Sequence, residues 1–310
     1  MPWQQYQNVN IVPQPTAQLK SEYSITADIL SFQLCPSQYG FFAVKKYQPA
    51  QITQEWFGTI IHQVLDKLHL HYLGLFDPNT AGQIPTDSEI ETYFNSVEDS
   101  LRARGVKAIN QRARGTALRV LKIFNTIEGS SLYPNVIDTE YTLQADRVNY
   151  ILHGKVDLLK NISSGSSLAN YDPVEIWDYK GTKFPDINSA PGRNRLNRYK
   201  FQLLTYAQLY QLKTGNLPIK GLLYFMNELN TQPPPTNRPT QAVYELDFRD
   251  PSTLGNMNQA IQSFDQTVAN IEQSKIQNNW PTPQQPDKET CDICDIRWKC
   301  DAVNYPMRYP

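Results

Sequence analysis

The sequence has 310 residues, of which 40% are hydrophobic, enough for one large domain or two ordinary ones and too many for disorder over most of the chain. The formal net charge is −1, so any nucleic-acid role would need local basic patches. Residues 1–10 lack the apolar stretch of a secretory signal, and no apolar run approaches membrane-spanning length. We therefore expect a soluble, cytoplasmic protein without membrane partners.

Helical patterns dominate the first 128 residues. Residues 23–46 predict a helical region, and residues 51–73 predict a stronger helix because their apolar side chains recur at helical spacing. The recurring positions are Ile60, Ile61, Val64, Leu65 and Leu68. Turn residues over 74–87 then lead into a second helical block at about 88–127.

Strand patterns replace the helical ones after Gly129. Five segments alternate or run apolar in strand fashion, at 136–143, 150–159, 174–180, 221–226 and 242–248. Helices are predicted at 198–214 and at 254–277. This order indicates an α/β protein with three regions. They are a helical N-terminal region (1–128), an α/β core (129–280) and a cysteine-rich tail (281–310) that packs on the N-terminal region.

Two carboxylates and one lysine lie near the ends of consecutive predicted strands. Asp157 lies in the second strand, and Asp178 and Lys180 lie in the third, where positions i and i+2 share a face. If these strands pair as a hairpin, Asp157 approaches Asp178. Paired carboxylates hold hard divalent cations, such a cation lowers the pKa of a water, and a nearby ammonium offsets developing negative charge. Phosphodiester hydrolysis needs this chemistry.

The alternative is a surface ion pair between Asp178 and Lys180, which would contribute little. The strand around them is largely apolar, and charged residues on such a strand are usually paired or functional. Four spaced pairs of residues also follow one another along the chain, namely Gly58-x-x-x-His62, Gly154-x-x-Asp157, Asp178-x-Lys180 and Gln202-x-x-x-Tyr206. Together they resemble the motifs of the RecB-type branch of PD-(D/E)XK nucleases. The resemblance implies a restriction-endonuclease-like fold, with a mixed sheet flanked by helices as the nuclease core.

The resemblance also implies the active-site roles. Asp157 and Asp178 would bind Mg²⁺ or Mn²⁺, with the backbone carbonyl of Tyr179 as a further ligand. His62 resembles the extra ligand that this branch brings from its helix, and Lys180 would be the catalytic lysine. An ordinary helix-face histidine is the alternative for His62, and Gly58 four residues earlier disfavours it.

Three other positions are less tightly tied to the motifs. Gln202 and Tyr206 lie one helical turn apart and in the family help to position substrate and active site, but a plain helix surface is nearly as good an interpretation. Glu140, on the preceding strand, is within reach of the site and matches no motif closely enough to take a role. Gly181-Thr182 follows the lysine where the family often has Thr-Gly, so the local loop geometry is expected to differ.

The chain has four cysteines, one upstream and three close together near the end, namely Cys35, Cys291, Cys294 and Cys300. Close cysteines in a cytosolic chain favour metal or redox chemistry over disulfides. Four thiolates complete an iron–sulfur cluster or a zinc site equally well, and buried free thiols are a third interpretation. The arrangement resembles that of iron–sulfur members of this branch, such as AddB-type and CRISPR-associated RecB-like exonucleases, and so implies a 4Fe–4S cluster.

Two basic stretches flank the proposed site in the sequence. The segment 101–122 has seven basic residues and no acidic one, namely Arg102, Arg104, Lys107, Arg112, Arg114, Arg119 and Lys122. A second group, Arg193, Arg195, Arg198 and Lys200, precedes Gln202. Either could follow a phosphate backbone, although a charge run is more often a solvated helix face.

These patterns lead to one main hypothesis and two alternatives. The main one is a metal-dependent DNA nuclease, an exonuclease on single-stranded ends, acting with protein partners in repair, recombination or CRISPR adaptation. The first alternative is a non-catalytic nucleic-acid-binding protein with a structural zinc or iron–sulfur clip, which the complete Asp157, Asp178 and Lys180 set disfavours. The second is a sequence-specific restriction-type endonuclease, which the histidine helix and the cysteines disfavour.

Overall fold

The computed structural model describes residues 20–47, 53–162, 169–283, 288–292, 294–297 and 300. In this part, one mixed sheet runs in the order β1-β3-β4-β5-β6, and β2 also pairs with β3. The strands are β1 Ser21–Ser24, β2 Val136–Asp146, β3 Tyr150–Asn161, β4 Tyr171–Lys180, β5 Leu217–Phe225 and β6 Val243–Asp247. The parallel pairs are β1 with β3 and β4 with β5, and the remaining pairs are antiparallel.

The helices before the core strands are α1 Ser31–Leu34, α2 Pro36–Tyr39, α3 Thr53–Tyr72, α4 Asp87–Ala103 and α5 Gln111–Leu132, with π-helical turns at Ile25–Leu30 and Gly40–Val44. Those after β4 are α6 Ala190–Thr214, α7 Pro251–Gln277 and α8 Lys288–Asp292. Among the residues described, no helix is long and apolar enough to cross a membrane.

Helices cover both faces of the sheet. On one face, α3, α4 and α5 pack against Trp177 and Tyr224, while on the other α6, α7 and the π-helical turn after β1 pack against Ile176 and Leu223. Neighbouring residues of β4 therefore enter different cores, which explains why this strand is a continuous apolar run and not an alternating one. The expected mixed sheet flanked by helices is confirmed.

One detail of the predicted N-terminal region is wrong. Tyr23 and Ser24 are not helical but belong to β1, which pairs with the start of β3. The helical block predicted at 88–127 is present as two helices, α4 and α5, and Gly105 adopts a left-handed φ of 82° after α4. The three-region division stays a prediction, since the sheet takes β1 from the first region and much of the tail lies outside the described residues.

β3 changes its partner on one side halfway along its length. Residues 150–153 pair with β1, and residues 158–161 pair with β4. Between them, residues 154–157 have no strand partner on that side in the described part of the chain. The sheet forks here, and the fork carries the Gly154-x-x-Asp157 motif.

Gly154 is required at the fork because two side chains pack against its Cα. A Cβ at this position would lie 2.6 Å from Ile25 Cδ1 and 2.9 Å from Tyr206 Cε1. The Ile25 methyl can rotate away, but the Tyr206 ring is fixed by its hydrogen bond with Gln202. Gly154→Ala should therefore lower the free energy of unfolding by about 2 kcal/mol through overpacking, measured by urea denaturation.

Gly255→Ala in α7 is the matched control, because no atom lies within 4 Å of its added Cβ. This change should stabilise the protein by about 0.5–1 kcal/mol through helix propensity. Equal unfolding midpoints for Gly154→Ala and the wild type would contradict the packing argument.

Candidate active site

Asp157 lies at the fork and receives hydrogen bonds from two elements. The backbone N–H of Tyr179 on β4 donates to its Oδ2 at 2.7 Å, and His62 Nδ1 on α3 lies 3.2 Å from its Oδ1. Burial alone would raise the pKa of Asp157, but the His62 charge and hydrogen bond and the Tyr179 N–H hold it below its usual range. Asp157 is therefore ionised at neutral pH.

Asp178 and Lys180 form a buried ion pair on the same face of β4. Lys180 Nζ lies 2.6 Å from Asp178 Oδ2, and both side chains are almost fully removed from solvent. Burial raises the pKa of Asp178, against the opposing charge of Lys180, and the charge of Asp157 raises it further. The charge of Asp157 therefore acts on Asp178, and the pKa values of the two carboxyls are shifted in opposite directions.

Gln202 on α6 bridges the Asp178–Lys180 pair. Its Nε2 donates to Asp178 Oδ1 at 2.9 Å, and its Oε1 accepts from Lys180 Nζ at 2.8 Å. The same Nε2 donates to the hydroxyl of Tyr206, one turn along the helix, at 2.8 Å. Gln202 and Tyr206 are 5% and 3% exposed, so the plain-surface interpretation is wrong for both. Their contacts are those of positioning residues.

His62 reaches the fork because α3 passes close to the loop after Lys180. A Cβ at Gly181 would lie 3.0 Å from Gly58 Cα, so glycine at 181 permits the contact. This explains why glycine directly follows the lysine, where the family often has threonine. Burial alone would lower the pKa of His62, but Asp157 and then Asp178 raise it to about 9. The imidazole is therefore protonated at neutral pH in the metal-free protein.

Glu140 joins this group from β2. It falls opposite Asp157 in the register of β2 and β3, has a left-handed φ of 51°, and pairs with Lys155 at 2.5 Å. Ligand atoms of His62, Glu140 and Asp157 all lie within 4.8 Å of one another, the one such set among the described residues. Motif matching left Glu140 aside, and its register opposite Asp157 is the signal that places it at the site.

His69 packs against Tyr179, and the sequence did not predict a role for it. It is fully buried, stacks on the Tyr179 ring at 6.0 Å between centroids, and its Nε2 lies 3.1 Å from the Tyr179 hydroxyl. Burial lowers the pKa of His69 to about 3, so the ring is neutral. Its position seven residues after His62 puts both on one face of α3, which was a usable signal.

The cysteines of the tail approach Cys35 in the N-terminal region. Cys35 caps α2, with its Sγ accepting from Gln38 N at 3.4 Å. Burial raises the pKa of the Cys35 thiol, and the neighbouring Cys294 and Cys300 raise it further. Cys294 N donates to Cys291 O at 3.1 Å, in the turn that follows α8. The tail therefore folds back on α2.

Three of the seven basic residues in the segment 101–122 are paired with acidic side chains. The acidic side chains of α4 pair with Arg102, Arg114 and Lys122. Arg119 instead donates to Asn230 Oδ1, while Arg112 is exposed. In the second group, Arg193 Nη1 donates to the carbonyls of Ile187 and Asn188, and Arg195 and Arg198 are half-buried on the first turns of α6.

Fold and site together define a mixed α/β protein in which two carboxylates, a lysine and a histidine meet at a fork of the sheet. The PD-(D/E)XK nuclease superfamily model matches residues 27–301. The chain therefore belongs to the PD-(D/E)XK nuclease superfamily, a group of phosphodiester hydrolases that generally use divalent metals.

One solved structure supports the same architecture. A proposed exonuclease from Eubacterium rectale aligns over 96% of this chain and 97% of its own, with a TM-score of 0.50 and 11% identity, which is a likeness of fold alone. The protein SSO0001 aligns over 96% and 91%, with a TM-score of 0.37 and 13% identity, too low to support an argument. No curated protein sequence matches the chain.

Proposed function

We propose that the chain is a Mg²⁺- or Mn²⁺-dependent deoxyribonuclease that degrades DNA from free single-stranded ends, as repair, recombination or CRISPR adaptation requires. The observation that supports this most is the meeting of Asp157, Asp178 and Lys180 with His62 at the fork. Family membership supports a nuclease, while the choice of DNA, of single strands and of free ends is our proposal.

The donor atoms at the fork suit a hard divalent cation. The observed cluster offers carboxylate oxygens of Asp157 and Glu140 and one imidazole nitrogen of His62, which fit Mg²⁺ or Mn²⁺ better than a thiophilic metal. Asp178 lies outside this cluster, and we propose its carboxylate as a further oxygen ligand. We propose that the backbone carbonyl of Tyr179 is a further ligand. A cation held there would neutralise phosphate charge and lower the pKa of a water.

Lys180, Gln202 and Asp157 take the other roles at the site. Lys180 places an ammonium beside the buried Asp178, where it can stabilise developing negative charge on the phosphate. Gln202 holds the orientation of both side chains through its two hydrogen bonds. Asp157 accepts the N–H of Tyr179 and so orients the Asp178–Tyr179 peptide. In an extended strand the N–H and C=O of one residue point to the same side, so the Tyr179 carbonyl faces the Asp157 side as well.

If His62 is a ligand, cation binding must displace its proton. Because the pKa of His62 is about 9, binding at pH 7 should release about one proton per ion from this residue, and release should fall towards zero above pH 9. Metal affinity should accordingly rise with pH up to about 9. Calorimetric titration of Mn²⁺ in two buffers of different ionisation enthalpy measures this number. The same release from His62→Gln would contradict the assignment.

We also propose that Cys35, Cys291, Cys294 and Cys300 hold a 4Fe–4S cluster. The approach of the tail to α2 supports a shared metal centre. Four thiolates complete a zinc site or an iron–sulfur cube equally well. The arrangement of one upstream cysteine and three in the tail resembles that of iron–sulfur members of this nuclease branch, and on that resemblance we favour the cube.

The decisive experiment is digestion of end-labelled single-stranded DNA with Mg²⁺ or Mn²⁺ by wild type, Asp178→Asn and Asp265→Asn. Asp265 pairs with Arg147 away from the fork, so its variant is the control and should cut normally. Asp178→Asn should lose at least about 10³-fold in rate. Equal cutting by all three proteins would remove the proposed function.

Other substrates separate the finer parts of the proposal. A circular single strand should resist while the linear form is degraded, because an exonuclease needs an end. Cleavage of the circle would replace exonuclease with endonuclease, and equal cleavage of RNA would remove the preference for DNA. Binding without cleavage with either ion would favour the non-catalytic alternative.

A further inference from the structure

A polar cavity of about 580 Å³ lies between the start of α5 and the chain that follows β5. It is lined by Arg112, Gly115, Thr116, Arg119, Asn230 and Gln232, which we call the arginine pocket. Arg112, Thr116 and Arg119 are spaced by four and three residues, so they project from one face of α5. No carboxylate is among the lining residues.

The two arginines differ from three other basic side chains of the same segment. Arg102, Arg114 and Lys122 are paired with acidic residues of α4, whereas Arg112 and Arg119 have no carboxylate partner in the described part of the protein. Arg119 donates to Asn230 Oδ1, and its buried Nε has no hydrogen-bond partner among the described residues. Two positive charges therefore share the pocket without a counter-charge.

The far wall of the pocket begins at the active-site edge of the sheet. β5 runs parallel to β4 with Phe225 opposite Lys180, and Asn227 N donates to the carbonyl of Thr182 at 3.3 Å. From Phe225 to Asn230 the chain covers roughly 10 Å at the 3₁₀ rise of about 2 Å per residue. The chain that leaves the strand next to Lys180 therefore reaches the pocket wall within five residues.

The side chains that line the arginine pocket favour a phosphate group as the ligand. Arginine presents planar N–H donors that match phosphate oxygens, and the hydroxyl of Thr116 and the amides of Asn230 and Gln232 add neutral donors. Gly115 has no atom within 4 Å of where its Cβ would be, which leaves the floor of the pocket open. The cavity is roomier than one phosphate needs, so a sugar can enter with it.

We propose that the arginine pocket binds a backbone phosphate of the nucleic-acid strand, a few nucleotides from the bond that is cut. The inference rests on the proposed function, because it assigns the strand a path from the fork across the start of α5. The pocket holds the strand and takes no part in the chemistry at Asp178 and Lys180.

The test is binding of a fluorescent single-stranded oligonucleotide by the full-length protein in EDTA, where no cleavage occurs, at several salt concentrations. Arg112→Gln/Arg119→Gln should weaken binding about tenfold or more and reduce the slope of log K against log salt by about 1. Arg112→Gln alone should give part of this loss, and because Arg112 is exposed it does not endanger folding. Arg102→Gln, which removes an acid-paired arginine of the same segment, should bind as the wild type does.

Cleavage kinetics then separate this inference from the proposed function. The double variant should raise KM about tenfold and change kcat by less than about threefold, because the reacting groups are untouched. Normal binding by the double variant, with Asp178→Asn inactive, would remove the pocket and leave the nuclease. If the wild type binds the strand through these arginines but does not cleave it, the pocket is kept and the nuclease is removed.

Competition by a mononucleotide distinguishes binding of a nucleic-acid strand from binding of a small phosphate ligand. A nucleoside monophosphate should compete with the labelled strand only weakly, since it offers a single phosphate. Tight competition by the mononucleotide that is lost in Arg112→Gln/Arg119→Gln would assign the pocket to a small ligand and overturn the strand proposal.

Discussion

Lys180→Met should lower the rate of DNA cleavage by about 10³-fold while strengthening Mn²⁺ binding. The ammonium lies 2.6 Å from Asp178 Oδ2, so it occupies an oxygen that a cation would otherwise use. Its removal takes away both the competitor for the carboxylate and the charge that stabilises the reacting phosphate. Single-turnover cleavage and calorimetric titration of Mn²⁺ measure the two effects separately.

The same change should destabilise the metal-free protein. Asp178 is 2% exposed and would keep only the Gln202 donor, so we expect a loss of about 2–4 kcal/mol in the free energy of unfolding. The loss of stability is limited because the pKa of Asp178 is already raised. In the absence of the lysine, Asp178 can take up a proton and become neutral. Saturating Mn²⁺ should restore more stability to this variant than to the wild type.

Lys160→Met is the control that separates stability from chemistry. Lys160 forms a similarly shielded ion pair with Glu175 at 3.2 Å, outside the fork. This variant should also lose stability but should cleave DNA at the wild-type rate. Cleavage by Lys180→Met within tenfold of the wild type would show that the lysine is not part of the reaction.

How much of the fold the sequence predicts depends on whether a signal is local. The helical spacing of Ile60 to Leu68 and the apolar run of β4 come from burial on one or two faces, and both elements were placed within a few residues. β1 was missed because four residues carry no pattern of their own, and their strand conformation depends on pairing with Tyr150, far along the chain. The break at Gly105 was readable as a helix-ending glycine.

The candidate site shows the same division. Spacing along single elements relates Asp178 to Lys180, Gln202 to Tyr206 and Gly58 to His62, and the structure brings these groups together. The position of Glu140 depends on the β2–β3 register, which spacing within one strand does not contain.

The charge pattern of the segment 101–122 did not predict which of its basic side chains are paired, for a related reason. The segment 101–122 contains no acidic residue, yet Glu98 and Glu91 on the neighbouring α4 neutralise Arg114 and Lys122. Helix packing decides which arginines remain unpaired, and a one-dimensional count of charges does not report it.

Cys294→Ser should remove the metal centre of the tail and lower the melting temperature by more than about 10 °C. A structural metal site can contribute on the order of 10 kcal/mol of apparent binding energy to folding. The loss should reach the N-terminal region, because Cys35 caps α2, and Tyr39 of that helix packs on Trp280 with ring centroids 5.9 Å apart. Anaerobic purification with iron, sulfide and zinc analysis and a melting curve makes the comparison.

Ser37→Ala is the matched control, since it removes a hydroxyl from the turn next to Cys35 but no thiol. It should keep the metal and melt within about 2 °C of the wild type, as surface substitutions usually do. A brown wild-type protein with about four irons per chain would support the cluster. A colourless protein with about one zinc would overturn the iron–sulfur assignment and keep a structural metal site. A metal-free wild type that melts like Cys294→Ser would remove both, because the thiols would then hold no metal.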